Sequence, residues 1–320
     1  MKQDKNIVLK NFWEDNHRFA DLFNGTLFQG QKILDPAFLE TCDTDVSGSI
    51  TAKDKKVNYK RYRDVIKKMY MGSEFILLGI ENQSLIHYAM SLRSMGYDFL
   101  NYTKEYNDIK RRHKRENHMK HIRPDEFLSG IFKTDRLHPV FTLVVYYGEK
   151  PWDGPLSLKG MMAAMPPGLE THFSDYKMNL VQVISEHPEH FSHPDVSAVF
   201  DLIQLIYKED KHMLQEKYGN SEIDKEVFDV VSSITALDLN TVPGTERGKV
   251  KMWTTLEKWQ RESYESGQQD GFASGEKAAR CKLITHMLEN QWDADAIHKA
   301  TAIPLNEILQ VQESRNRSDS

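Results

Sequence analysis

Two β-rich runs, RDVIKKMY and FILLGIENQ, are separated by the short stretch MGSE, and this spacing constrains the chain more than any other feature. Runs of branched and aromatic residues joined by a glycine-containing turn form an antiparallel hairpin. With Met71 to Glu74 as the loop, Tyr70 faces Phe75, and every facing pair has residue numbers that sum to 145. Asp64 then faces Glu81. Side chains directly opposite stand roughly 5 Å apart at Cβ, and like charges there repel, so this pair requires compensation. Glu81 and Gln83 are two apart and share a face, while Asn82 points away. Two carboxylates and an amide therefore converge. Oxygen donors of this kind suit Mg²⁺, which keeps waters for contact with a substrate phosphate or for attack on it. The expectation is a metal-assisted phosphodiester site, provided that no one-residue bulge turns Asp64 to the other face.

The surrounding text supplies the layers. Phe12, Phe19, Leu22, Phe23 and Leu27 recur at helical spacing, which predicts one amphipathic helix ending near Gly25 or Gly30. Asp43 to Lys56 is polar and reads as a surface loop. Leu85, Ala89, Leu92, Met95, Phe99, Tyr102 and Tyr106 define the apolar stripe of a long helix, and FTLVVYYG, bounded by Pro139 and Gly148, is a buried strand. Beyond Trp152 the chain is mainly helical, with a break over Thr241 to Gly248 and glycines at 267, 271 and 275. Residues Asp295 to Val311 predict two short helices around a turn, helix-turn-helix-like, and the final SRNRSDS is expected to be disordered.

The stretch RDVIKK…FILLGIENQSLIHYAMSLRSMGYDFLNY, with HPVFTLVVYYGEKPWDGPLSL after it, resembles the Rpn-type recombination-promoting nucleases, also called YhgA-like transposases, of the PD-(D/E)XK superfamily. RFADLFNGTLFQG and the glycine-spaced tail are similar to members of the same group, so the resemblance covers most of the chain, more weakly in the central and C-terminal helices. It implies an α/β fold with a restriction-endonuclease-like mixed sheet flanked by helices and a mostly helical C-terminal extension. The expected divisions are a nuclease domain over 1–215, a helical region over 216–262 and a helical tail over 263–320. The resemblance further implies Mg²⁺-dependent DNA cleavage, with a link to recombination or mobile DNA. Asp64 takes the place of the first motif aspartate and Glu81 that of the second acid, while Asp21 stands as a further metal-binding acid from the first helix. Gln83 occupies the place of the usual lysine; a neutral amide offers hydrogen bonds but no positive charge to a developing oxyanion.

The formal net charge of −5 argues against nucleic-acid binding by bulk charge, so DNA contact must come from local patches. Lys110, Arg111, Arg112, Lys114 and Arg115 form the densest basic run, read either as a phosphate-contacting patch or as a solvated helix face. Asp43, Asp45, Ser47, Gly48, Ile50 and Asp54 follow the calcium-loop spacing, but Asp54 stands where a bidentate Glu belongs and Lys55 and Lys56 follow, so a polar turn is expected. His187, His190 and His193 are spaced by three, yet Pro188 and Pro194 argue against a helix that would gather them. The longest uncharged apolar runs, Phe75 to Ile80 and Val140 to Tyr147, fall far short of the roughly 18 residues that a membrane helix needs, so no membrane partner is expected. With no leader pattern at the start and only Cys42 and Cys281 as thiols, a cytoplasmic location is expected. A homo-oligomer is left open. The rival to a nuclease is a catalytically inactive DNA-binding or interaction module on the same fold.

Overall fold

A computed structural model of the chain describes residues 4–42, 45–52, 55–62, 64–72, 74–116, 123–235, 249–251, 275 and 277–318. The hairpin forms as its spacing predicts. Strand β4 (Val65–Met71) pairs antiparallel with β5 (Glu74–Gln83), from Met71 opposite Glu74 to Val65 opposite Ile80, and each of these pairs sums to 145. The turn passes through Gly72, whose φ of +71° a side chain would strain.

The hairpin forms the centre of a five-stranded mixed sheet ordered β1-β4-β5-β6-β7. The short β1 (Leu39–Thr41) pairs antiparallel with β4 at one edge, while β6 (Val140–Tyr146) and β7 (Asn179–Gln182) add in parallel beyond β5. A parallel neighbour requires a crossover, and the long helix α3 (Met90–Arg115) with the short α4 (Pro124–Ser129) supplies it between β5 and β6.

The two faces of the sheet differ in chemistry. On one side lie α1 (Lys5–Glu14), α2 (Asn16–Phe28) and α5 (Pro194–Tyr207), burying Leu9, Phe12, Trp13, Phe19, Phe200 and Ile203; α6 (Lys211–Tyr218) packs on α5, and α7 (Lys225–Thr235) on α1 and α5. The expected single first helix is two, because the Asp15 carboxylate accepts from the backbone N–H groups of His17 and Arg18 and so starts a new helix. Against the other face lies α3, and the side it buries is not the apolar stripe expected for it. Ser91, Ser94, Tyr97, Asp98 and Asn101 are buried, whereas Leu85, Leu92 and Phe99 are exposed. Small polar side chains let the helix approach the strands closely and find partners there: Thr142 Oγ1 of β6 donates to Asp98 Oδ1 at 2.6 Å, and Tyr176 OH donates to Asp98 Oδ2 at 2.6 Å.

Other expectations need correction. The stretch from Asp43 to Lys56 is not a loop: β2 (Asp45–Ala52) and β3 (Lys55–Tyr62) form a second antiparallel hairpin, with Gly48 paired to Tyr59. That strand carries Asp45, Ser47, Gly48 and Ile50, so they form no calcium-loop turn; Asp43 and Asp54 lie outside the described residues. The chain forms two compact units, residues 1–253 and 254–320, and α7 belongs to the first, where Glu226 pairs with Arg18 of α2. The second unit gathers a helix over 277–289, α8, with α9 (Ala294–Thr301) and α10 (Leu305–Ser318) around Ile284, Ile297, Ile303 and Ile308. The turn between α9 and α10 is therefore present as expected, but helix runs on to Ser318, through residues expected to be disordered; glycines 267 and 271 lie outside the described residues. Among the described residues no helix is long and apolar enough to cross a membrane.

Two side chains carry tests of this packing. Lys67, fully buried on β4, donates from Nζ to Glu14 O at 2.6 Å and to Asn16 Oδ1 at 2.6 Å. Lys67→Ala should cost roughly 3 kcal/mol in urea unfolding, because those acceptors lose a charged donor. At Gly25 a Cβ would fall 2.3 Å from Phe191 Cδ1, and the Phe191 ring is held 4.5 Å from that of Phe200. Gly25→Ala should therefore destabilise by about 1–3 kcal/mol despite the gain in helix propensity, as read from the same unfolding curves.

Candidate active site

The hairpin ladder ends with Val65 opposite Ile80, so Asp64 and Glu81 are the next residues on either side of its last pair. The Asp64 carboxylate leans along the partner strand, and its Oδ2 accepts the backbone N–H of Asn82 at 2.7 Å. Asn82 itself points away from Glu81, toward the α1 layer: its Oδ1 accepts from Tyr147 OH at 3.0 Å, and that hydroxyl accepts from Trp13 Nε1 at 2.9 Å. This relay ties the end of β5 to a side chain on α1.

Glu81 faces α3 and is 1 % exposed. A buried carboxylate of this kind requires a cation. Arg93 provides it from the first turns of α3, with Nη2 at 3.2 Å from Glu81 Oε2. The guanidinium is aimed by Tyr97, one helical turn on, whose hydroxyl accepts from Arg93 Nε at 3.0 Å. Asp64 also feels this positive charge. The compensation demanded by two facing acids thus comes from a helix residue that the hairpin pattern does not reveal. A signal for it exists in the sequence: Arg93 is three residues after Met90 and four before Tyr97, both nearly fully buried, so it lies beside the inward stripe of α3.

Burial is the leading influence on Asp64 and raises its pKa above the ordinary aspartate value, against the opposing pull of Asn82 and Arg93. Gln83, at the end of β5 opposite Tyr146 of β6, lies on the same side of the strand as Glu81. Asp64, Glu81 and Gln83 therefore lie at the same end of the sheet. Asp21 is not brought to them. Its Oδ1 accepts from Ser192 N and Ser192 Oγ, and its Oδ2 from His193 N, so both oxygens serve the turn that enters α5. Among the described residues no three His, Cys, Asp or Glu side chains converge, so any divalent ion here rests on two carboxylates, the Gln83 amide oxygen and water. Mg²⁺ is commonly held in this way, by one or two carboxylates with the rest of its shell left to water and phosphate.

The basic run lies elsewhere. Lys110 to Arg115 occupy the last turns of α3, roughly 25–33 Å from Arg93 at 1.5 Å per residue. Arg111, Arg112, Lys114 and Arg115 are exposed and Lys110 is half-buried. His187 and His190 flank a short 3-10 turn, with rings 5.1 Å apart, whereas His193 caps α5 through Nδ1.

Comparison with family profiles, with curated proteins and with solved structures finds no match for this chain.

The sign of the Asp64 shift has a measurable consequence. A native pKa raised above the unfolded one means that the folded chain binds the proton more tightly, so stability falls as pH rises from about 4 through the raised native value. At neutral pH the ionised group is a cost. With EDTA present, Asp64→Asn should melt higher than the wild type at pH 7, by an amount in the range of about 0.5–2 kcal/mol, and the two should converge near pH 4. Equal melting temperatures at pH 7 would count against burial as the dominant influence on Asp64.

Proposed function

We propose that the chain is a metal-dependent nuclease that hydrolyses DNA phosphodiesters at the Asp64–Glu81 end of the hairpin, on a restriction-endonuclease-like core. One observation carries the reading: the hairpin sets two acids from facing strands together, and both lie within the field of one guanidinium. A carboxylate at 1 % exposure is costly to bury unless a cation answers it, and acids perturbed by burial beside a specific charge partner are candidates for a functional site. The order of Asp64, Glu81 and Gln83 along the chain, as in the resembled nucleases, supports the same reading.

In this reading Asp64 and Glu81 hold the divalent ion, and the Gln83 amide positions the attacking water or a phosphate oxygen by hydrogen bonding. Bound Mg²⁺ supplies positive charge against the developing negative charge on the phosphoryl oxygens. Hydrolysis forms one P–O bond from water and breaks the bond to one ester oxygen, which leaves as a hydroxyl with a proton from water. Glu81 accepts a metal only as its pairing with Arg93 loosens, since one carboxylate oxygen faces the guanidinium. The exposed run at the end of α3 is suited to backbone phosphates well away from the reacting bond, as 25–33 Å of duplex corresponds to roughly seven to ten base pairs.

A rival reading has its own observation. Arg93 already neutralises Glu81, and Gln83 brings no charge, so the same pocket suits a nuclease core that binds DNA without cutting it. Supercoiled plasmid separates the two. The wild type with Mg²⁺ should nick or linearise it, EDTA should abolish this, and Asp64→Ala and Glu81→Gln should each lower the rate at least about a hundredfold. DNA binding with no metal-dependent cleavage at any enzyme concentration would establish the inactive module instead.

A further inference from the structure

We propose that Arg93 is the phosphate-contacting cation of this site, filling from a helix the role that the neutral Gln83 leaves open on the strand. This rests on reading the Asp64–Glu81 end as a nucleic-acid site. Three observations lead to it. The first is charge: at the third motif position stands an amide, so a phosphate arriving there finds no positive charge on β5. The second is placement. Arg93, paired to Glu81, has its side chain 32 % exposed where that of Glu81 is 1 % exposed. An anion approaching Glu81 from solvent is therefore offered the guanidinium and not the buried carboxylate. The third is aim. Tyr97 OH accepts from Nε at 3.0 Å and the Tyr97 ring lies 5.6 Å from Cζ, so the guanidinium is held from below while Nη2 faces Glu81.

The neighbouring cations do not fill this role. Lys67 is buried on the opposite face of β4 and is bonded to Glu14 O, Asn16 Oδ1 and Thr41 Oγ1. Lys10 also acts on Asp64 from α1, but as a loose surface charge paired with Glu14 at 3.8 Å. A guanidinium is in addition the side chain best matched to two phosphate oxygens at once. When a divalent ion takes up the charge of Glu81, the attraction that holds Arg93 inward is weakened, and the fork turns to the phosphate. The buried acid is not left without a cation in this exchange: the divalent ion takes the place of the guanidinium, and the displaced guanidinium serves the substrate.

The salt dependence of binding tests this, because a structural ion pair does not alter the number of phosphates neutralised. Each phosphate contact contributes roughly 0.9 to the slope of log K against log salt. Binding of a fluorescent duplex of about 20 base pairs should be titrated over a range of salt, with Ca²⁺ in place of Mg²⁺ to hold cleavage back. Arg93→Gln should weaken binding several-fold at low salt and reduce the slope by roughly 0.9, while Arg93→Lys should keep the slope. Because Arg93→Gln leaves Glu81 buried without its cation, the double variant Glu81→Gln with Arg93→Gln is compared with Glu81→Gln alone, each checked by its melting curve. The same loss of slope is expected in that pair. An unchanged slope in both comparisons, or no duplex binding by the wild type, would overturn the assignment. Plasmid cleavage by the same proteins judges the nuclease reading separately. A wild type that shows the Arg93-dependent slope but never cuts retains the phosphate contact and loses the nuclease; a cutting enzyme with an unchanged slope does the reverse.

Discussion

The buried ammonium of Lys67 ties together the parts of the first unit that everything else is built on. From the middle of β4 it reaches Glu14 O at the end of α1, Asn16 Oδ1 at the start of α2 and Thr41 Oγ1 on β1, and it lies 5.3 Å from the centre of the Phe19 ring. Asn16 in turn donates from Nδ2 to Leu39 O at 2.9 Å, so the edge strand is held by the same corner. A charge this deeply buried is tolerated because its hydrogen bonds are met by oxygens that would otherwise be orphaned at a helix end. Burial lowers the Lys67 pKa, which records the cost of the arrangement. Once the α1–α2 corner is pinned to β4, Trp13 is set to bond Tyr147, and Tyr147 to bond Asn82 beside the acids.

The division of labour between the two faces follows. On the α1–α2 side, aromatic and aliphatic side chains exclude water and provide most of the apolar burial. On the α3 side the layer is polar: Arg93 meets Glu81, and Asp98 accepts from Thr142 and Tyr176. Polar contacts of this density stabilise less than apolar packing, but they hold charged groups in chosen positions in a medium that screens them weakly. The site sits on the face where charge is organised and draws its rigidity from the face where it is not.

How much of this was legible depends on how local the cause was. The register of the hairpin was, because a short turn and a two-residue period leave one alignment that buries Val65, Ile80 and Leu78 together. The second hairpin was not: Asp43 to Lys56 is polar and suggests a surface loop, whereas pairing with the strand that carries Asn58 and Tyr59 decides otherwise. The stripe Leu85–Leu92–Phe99 misled for a related reason. Hydrophobic periodicity locates a helix, yet the face it buries depends on what the sheet offers, and this sheet offers Glu81 and Thr142. Asp21 is a site acid only by the resemblance, whereas its partners are Ser192 and His193, some 170 residues away.

By itself, then, the sequence determined the β4–β5 hairpin and its register, since these follow from turn length, residue alternation and the steric preferences of neighbouring residues. The tertiary structure alone decided which cation answers those acids, which acids stand apart from them, and which side of α3 turns inward. Those outcomes depend on pairings between residues distant in sequence, where burial strengthens electrostatics and makes an unmatched charge too costly to leave in place.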